Sequence, residues 1–342
     1  MSDTVVGDAT PRPDFLVTLR ERAAARSRRL ALPEATDGRV LDAVSIAVRD
    51  RLFEPVLLGP VDEVRRGLSE RGVDPGAVEL RDTGDDGLVR RTLDHVTERR
   101  SDRGDPEGRL NAMACDALMQ GATLVATGEV AGMVAGCVRT TADVVRAALT
   151  GVGLAPGTST LSSSFYMVFG PEHSAGPAVL TFTDAGVVPE PTSEQLAEIA
   201  HSAVVARRRI VGDEPRVAFL SYSTKGSAGG PHVERVRRAL STFAGLAPDV
   251  AADGEMQADA ALVPAIAERK APDSPVAGRA NVLVFPDLGA ANLSYKLVQY
   301  LGGAVALGPV LQGLSAPVND LSRGASSGDV VAVGCITSLQ AD

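Results

Sequence analysis

Short apolar runs alternate with amphipathic segments along most of the chain, and this rhythm predicts its elements. RRLALPE (28–34) reads as a strand ending in a turn. In DGRVLDAVSIAVRDRL (37–52), Val40, Leu41, Val44, Ile46, Ala47 and Val48 are spaced for a mostly buried helix. EPVLLG (54–59) is the next strand and PVDEVRRGLSERG (60–72) the next helix. The alternation continues through AVELRD (77–82), helical patterns over 87–100 and 106–120, the apolar run TLVATG (123–128) and a helix in TADVVRAALTGVG (141–153).

Near residue 158 the pattern changes. TSTLSSSFYMVFG (158–170) and PAVLTFTDAG (177–186) are two successive strand-like runs joined by PEHSAG, which predicts an antiparallel pair. SEQLAEIAHSAVVARRRI (193–210) is a strong helix, with Thr192 or Ser193 as its cap. PRVAFLSYS (215–223) and ANVLVFPD (280–287) are short apolar runs between helices, as parallel strands are. The alternation predicts an α/β protein of layered αβα architecture. We expect two domains with a cleft between them: residues 1–158 with 312–342, and residues 159–311. Residues 1–13 are polar and contain proline, and we expect a loose tail there.

Composition narrows this picture. The 342 residues suit two domains. Aromatic residues make up 4% and tryptophan is absent, so the core is to be built from Ala, Val and Leu. The formal net charge of -9 argues against a general nucleic-acid binder, which needs a basic face. Small anionic ligands stay open, because local arginines can oppose the global sign. Cys115, Cys137 and Cys335 form no disulfide or zinc pattern, and each reads as a small buried hydrophobe. The four histidines show no metal spacing. The uncharged or nearly uncharged stretches 147–171 and 297–319 are broken by Gly, Pro, Ser and Thr, so neither reads as a membrane span. No signal-peptide core opens the chain, and a cytoplasmic location is expected.

Four motifs bear on chemistry. GVGLAPG (151–157) follows a helix rather than a strand, so it reads as a helix end and turn, not a dinucleotide loop. SYSTKGSAGG (221–230) lies between a strand and a helix, where backbone N–H groups and Lys225 can hold an anion; an exposed loop is the other reading. DGEMQADAA (253–261) gathers Asp253, Glu255 and Asp259, but without calcium spacing or histidines, and reads as an acidic helix start. SRGASSGD (322–329) permits a helix capped by Ser326 or Ser327. Yet Arg323 stands between apolar segments, where a guanidinium is costly unless it binds an anion. Arg146, on the otherwise apolar TADVVRAAL, adds a second cation of this kind. Arginines near hydroxyls point to phosphate recognition.

Taken in order, several longer blocks resemble the phosphate acetyl/butyryl transferase family over roughly 15–342. They are LPEATDGRV (32–40), EVAGMVAGCVRTTADVVRAAL (129–149), TDAGVVPEPTSEQLAEIA (183–200), PRVAFLSYSTKGS (215–227), DGEMQADAALVP (253–264), KAPDSPVAGRANVLVFPDLGAANLSYKLVQ (270–299) and GPVLQGLSAPVNDLSRG (308–324), then Asp329. The resemblance implies a two-domain fold similar to isocitrate and isopropylmalate dehydrogenases, usually a homodimer, with the active site between domains. It implies reversible acetyl transfer between acetyl phosphate and coenzyme A through a ternary complex, with coenzyme A as a substrate and no cofactor or metal. By motif, Ser322, Arg323 and Asp329 match the family's active-site serine, arginine and aspartate. Arg146 and Arg100 match substrate-binding arginines. Asp329 is then the expected base for the thiol, although a place near a helix N-terminus weakens a carboxylate in that role. Ala131, Ala291 and Tyr300 depart from the family pattern and bear on the grip on coenzyme A. A longer or specialised acyl group and a non-catalytic coenzyme A sensor are the alternative readings; a dehydrogenase lacks the metal-binding aspartates and nicotinamide motif it would need.

Overall fold

A computed structural model describes residues 14–170 and 176–341. The expected tail at 1–13 and most of the loop at PEHSAG lie outside the described residues. The strands are β1 (Arg29–Leu32), β2 (Glu54–Leu58), β3 (Glu79–Arg81), β4 (Gly132–Ala135), β5 (Ser162–Val168), β6 (Val179–Thr183), β7 (Arg216–Leu220), β8 (Ala251–Met256), β9 (Val282–Val284), β10 (Val305–Gln312) and β11 (Val318–Asp320). The helices are α1 (Phe15–Arg26), α2 (Gly38–Asp50), α3 (Val61–Ser69), α4 (Asp86–Arg99), α5 (Glu107–Ala114), α6 (Ala117–Ala126), α7 (Thr141–Ala147), α8 (Ser193–Ile210), α9 (Pro231–Leu246), α10 (Ala258–Leu262), α11 (Pro264–Lys270), α12 (Leu288–Tyr300) and α13 (Ser327–Gln340).

Two sheets organise these elements. One has the order β11-β4-β1-β2-β3 and is parallel throughout. The other runs β10-β5-β6-β9-β7-β8. Its β5–β6 pair is antiparallel, as the sequence change near 158 predicts; β5–β10 is antiparallel as well, and the remaining pairs are parallel. The chain crosses between the sheets near 154 and near 314, and the two crossings are bonded to each other. Ala155 N–H donates to the Gly313 carbonyl at 2.9 Å and Ser315 N–H to that of Gly153 at 3.0 Å. Leu154 and Leu314 form the bridge between them.

Capping explains where the helices begin. Asp37 accepts from Arg39 N–H, Asp85 from Leu88 N–H, and Asp116 from Leu118 N–H. Thr140, Thr192 and Ser326 each form a reciprocal box with the residue three positions on. Helix α13 returns to the first sheet and packs on α1 and α2. It buries Val330, Val331, Val333, Cys335, Ile336 and Leu339, which accounts for its nearly uncharged sequence. A Cβ at Gly334 would stand 2.5 Å from the Phe53 ring, so only glycine lets α13 come this close.

Three expectations change. TLVATG is not a strand: Asp116 caps a new helix at 117, and 123–126 are its last turn. DGEMQ is not a helix start: Asp253 and Glu255 lie on β8. Cys115 is exposed, at the end of α5, while Cys137 and Cys335 are buried.

Candidate active site

The carboxyl ends of parallel strands β4 and β11 open into a cleft of about 760 Å³, the usual place for a ligand in an open α/β sheet. Two loops from these ends form one wall. The loop after β4 is fixed from beneath by Glu34. Its Oε2 accepts from Gly136 N–H (2.9 Å) and Cys137 N–H (2.7 Å), and its Oε1 from Val138 N–H (3.0 Å) and Arg139 N–H (2.7 Å). Arg39, in the first turn of α2, ties this loop to the one after β11. It donates to the Cys137 carbonyl at 2.7 Å and to the Arg323 carbonyl at 2.6 Å.

The facing wall comes from the second sheet. Asp184 is buried and accepts from Ser163 N–H and Oγ–H and from Gly186 and Val188 N–H, which holds the turn bearing Ala185 and Gly186 at the cleft. Burial lifts its pKa, against the pull of those donors. Helix α12 adds Asn292, Tyr295, Lys296 and Tyr300. Tyr295 stacks on Phe165 with ring centroids 4.0 Å apart, which fixes the floor between the helix and β5.

Ser322, Arg323 and Asp329 all line this one cleft. Among the described residues, no hydrogen bond or ion pair holds the Arg323 guanidinium, and the side chain is exposed to the cleft. Ser322 Oγ accepts from Gly324 N–H at 3.2 Å, shaping the turn that presents the arginine. Asp329 serves two purposes. Its Oδ2 accepts from both N–H and Oγ–H of Ser326 at 2.8 Å, so the helix-cap reading and the cleft reading hold together.

Arg146 and Arg100 are not among the residues that line this hollow. Arg146 lies five residues beyond Thr141 on α7, about 140° round the helix, and pairs with Asp143 at 2.8 Å. Arg100, at the end of α4, is buried against Asp105. In their place the cleft wall presents Arg139, Thr141 and Asp320, which the sequence reading passed over. Their signals were faint: Arg139 precedes a capping box, and Asp320 ends a run of uncharged residues. Arg139 is compensated by Asp116 at 2.8 Å. Asp320 is almost fully buried and its Oδ2 accepts from Thr141 Oγ–H at 2.6 Å. Burial pushes its carboxyl up to about 6, Thr141 and Leu321 N–H pull the other way, and the Glu34 carboxylate adds to the rise.

Other candidates resolve into structure. The SYSTKGSAGG loop does hold an anion, but a carboxylate of the protein itself. Glu255 accepts from Gly226 N–H, Ser223 Oγ–H and Arg237. Burial disfavours its charge, yet these donors outweigh it and draw the pKa down to about 2. Lys225 pairs with Asp253. Burial pushes the Cys137 and Cys335 thiols up to about 12, so neither supplies a thiolate nucleophile. A second hollow of about 920 Å³ contains Arg26, Arg29 and Arg209, with Ala131, but none of the expected catalytic or substrate-binding residues. Arg26 there is engaged by the carbonyls of Leu339 and Ala341, and Arg29 by Glu79 and the Glu129 carbonyl.

Comparison with known proteins decides what kind of cleft this is. Residues 14–338 match the model of the phosphate acetyl/butaryl transferase family. The chain belongs to that family. It is 42% identical over 327 residues to a phosphate acetyltransferase of Thermoanaerobacterium thermosaccharolyticum, covering 96% of this chain and 99% of that one. It is also similar to the phosphotransacetylase structure from Streptococcus pyogenes (38% identity, TM-score 0.88, 95% of this chain and 97% of that one). The corresponding values for the phosphotransacetylase of Staphylococcus aureus are 37%, 0.87, 96% and 98%. Membership makes the chain an acyltransferase on a two-layered-sheet αβα fold, with parallel strand ends facing the cleft. Among the described residues, no helix is long and apolar enough to cross a membrane.

Proposed function

We propose that the cleft catalyses reversible transfer of an acetyl group between acetyl phosphate and coenzyme A. The observation that carries this reading is Arg323, a guanidinium with no partner among the described residues, presented by a hydrogen-bonded turn between two lobes. A guanidinium fork suits a phosphoryl group whose charge grows as the acyl–oxygen bond breaks. Ser322 donates to the same phosphate or to the carbonyl oxygen, and Asp329 keeps an acceptor at the helix start. The thiol attacks the carbonyl carbon while both substrates are held in one ternary complex, so much of the rate comes from orientation. The proposed reaction is complete with its two substrates and uses no resident cofactor. We take residues 1–158 with 312–342 as one lobe and 159–311 as the other, and the cytoplasm as the place of action.

Mixing the protein with coenzyme A and acetyl phosphate is expected to produce thioester absorbance, and to do so faster than with propanoyl or butanoyl phosphate. Absence of thioester under conditions where coenzyme A still binds would end the catalytic reading. Preference for a longer acyl phosphate would move the substrate.

We also propose self-association. Leu293, Leu297 and Leu301 recur every four residues along one face of α12 and its end, and all three are more than half exposed. Such a stripe marks a protein contact. Leu297→Glu is expected to convert a dimer to a monomer in light scattering after gel filtration. A wild-type chain that already elutes as a monomer would refute this.

A further inference from the structure

We propose that the hollow behind the paired crossing is a second binding site, which takes a small organic anion bearing two phosphoryl groups and holds the cleft open when filled. The hollow measures about 920 Å³, room enough for a metabolite-sized ligand. It lies at the amino ends of the first sheet, whereas the cleft lies at the carboxyl ends. Arg29 opens β1, Glu54 opens β2, and Ala131 and Pro317 directly precede β4 and β11. Hollow and cleft share no lining residue.

The charge here is opposite to that of the chain. Four arginines line the hollow, Arg26, Arg28, Arg29 and Arg209, against two carboxylates among the described residues, Glu54 and Glu129. Glu129 is drawn off by Arg91 at 2.8 Å, and Arg29 by Glu79. Arg26 donates to the carbonyls of Leu339 and Ala341, and Arg209 to that of Gln340. Carbonyls order a guanidinium without cancelling its charge. Arg28 carries the inference. Its Nε is buried without a hydrogen-bond partner, and its side chain makes no ion pair among the described residues. A partly buried guanidinium left alone is costly, and an anion supplies the partner that the fold does not. Val125, Val130, Val205, Leu314 and Pro317 add an apolar flank for the body of an organic ligand.

The walls belong to different lobes. Arg28 stands on the first, while His201 and Arg209 stand on α8 of the second, and both crossings line the space between. The His201 ring carries an N–H donor in either tautomer. One phosphoryl group for each wall accounts for a ligand with two. An anion held on Arg28 and reaching α8 draws the lobes together on this side of the crossings. Approach here is separation on the far side, which carries Arg323 away from α12. The filled hollow then favours the open cleft and weakens coenzyme A, and coenzyme A weakens the anion by the same factor.

The test titrates fructose 1,6-bisphosphate, as a probe with two phosphoryl groups, into the whole chain by isothermal titration calorimetry. Arg28→Gln should weaken its binding by about 10- to 100-fold, the loss of one hydrogen bond to a charged group. Because Arg28 holds no partner in the fold, the melting curve and the probe-free kcat and KM of this variant should match the wild type. Glu54→Gln removes a carboxylate from the hollow and should tighten the probe by about two- to fivefold. Saturating coenzyme A should weaken the probe in the wild type. The probe should raise the KM for coenzyme A in the wild type and not in Arg28→Gln.

Probe affinity equal to wild type in both variants would place the probe in the cleft and overturn the site. A wild type that takes up no probe would overturn it as well. Affinity indifferent to coenzyme A would overturn the coupling. Calorimetry stands apart from the acyl-transfer reading: a chain that makes no thioester, yet binds the probe through Arg28, loses that reading and keeps this site.

Discussion

Arg323→Ala is expected to lower kcat by about 10³ while leaving the fold intact. Removing one preorganised charge stabiliser costs about 10²–10³ in turnover, and an arginine on a transferring phosphoryl group often more. The fold should survive because the guanidinium makes no hydrogen bond or ion pair among the described residues. The turn is held by its backbone: the Arg323 carbonyl accepts from Arg39, and Gly324 N–H donates to Ser322. Alanine keeps both. Arg323→Lys should recover part of the rate, since it restores charge without the two-pronged geometry. Steady-state kinetics beside a melting curve make the check. A kcat within threefold of wild type would remove Arg323 from the chemistry. A collapsed melting point would make it a structural residue.

Glu34→Ala is expected to be the most damaging change for stability near the cleft. Four backbone N–H groups converge on this one carboxylate. Leaving buried donors unsatisfied costs about 1–3 kcal/mol each, and water can reach the outer pair. The net loss should be about 3–5 kcal/mol, a fall of about 10 °C in melting temperature. Activity should fall too, because the loop carries Arg139 and leads directly into Thr141. Glu34→Gln isolates the charge in part. It keeps one acceptor oxygen, sets its amide N–H2 against the other two N–H groups, and removes a like charge that raises Asp320, so the Asp320 carboxyl should titrate at lower pH. Differential scanning calorimetry and a pH series test both. A melting point within about 2 °C of wild type for Glu34→Ala would show that solvent replaces the carboxylate.

Much of the fold was legible because burial follows period. Strands β1, β2, β3, β5, β6, β7 and β9 and helices α2, α3, α4, α8 and α9 stand where apolar spacing places them. The errors came where one residue overrides a pattern. Asp116 interrupts a helical run with a cap and starts a new helix at 117, so the first four residues of TLVATG become its last turn. DGEMQ looks like a polar segment, yet Arg237 and the 223–226 loop neutralise Glu255 well enough to put it in a strand interior. The site divides in the same way. Ser322, Arg323 and Asp329 are close in sequence and came out together. Arg146 stood out as a cation on an apolar helix face and Arg100 came by motif; in the fold they pair with Asp143 and Asp105. Asp320 needed the third dimension: its partner is 179 positions away.

The paired crossing at 154 and 314 has one more consequence. Two segments hydrogen-bonded to each other cannot flex separately, so relative motion of the sheets must turn both about a common line. The cleft would then shut like a book on its spine. Arg323 on one cover and Lys296 on the other would swing toward a shared guest without either page creasing.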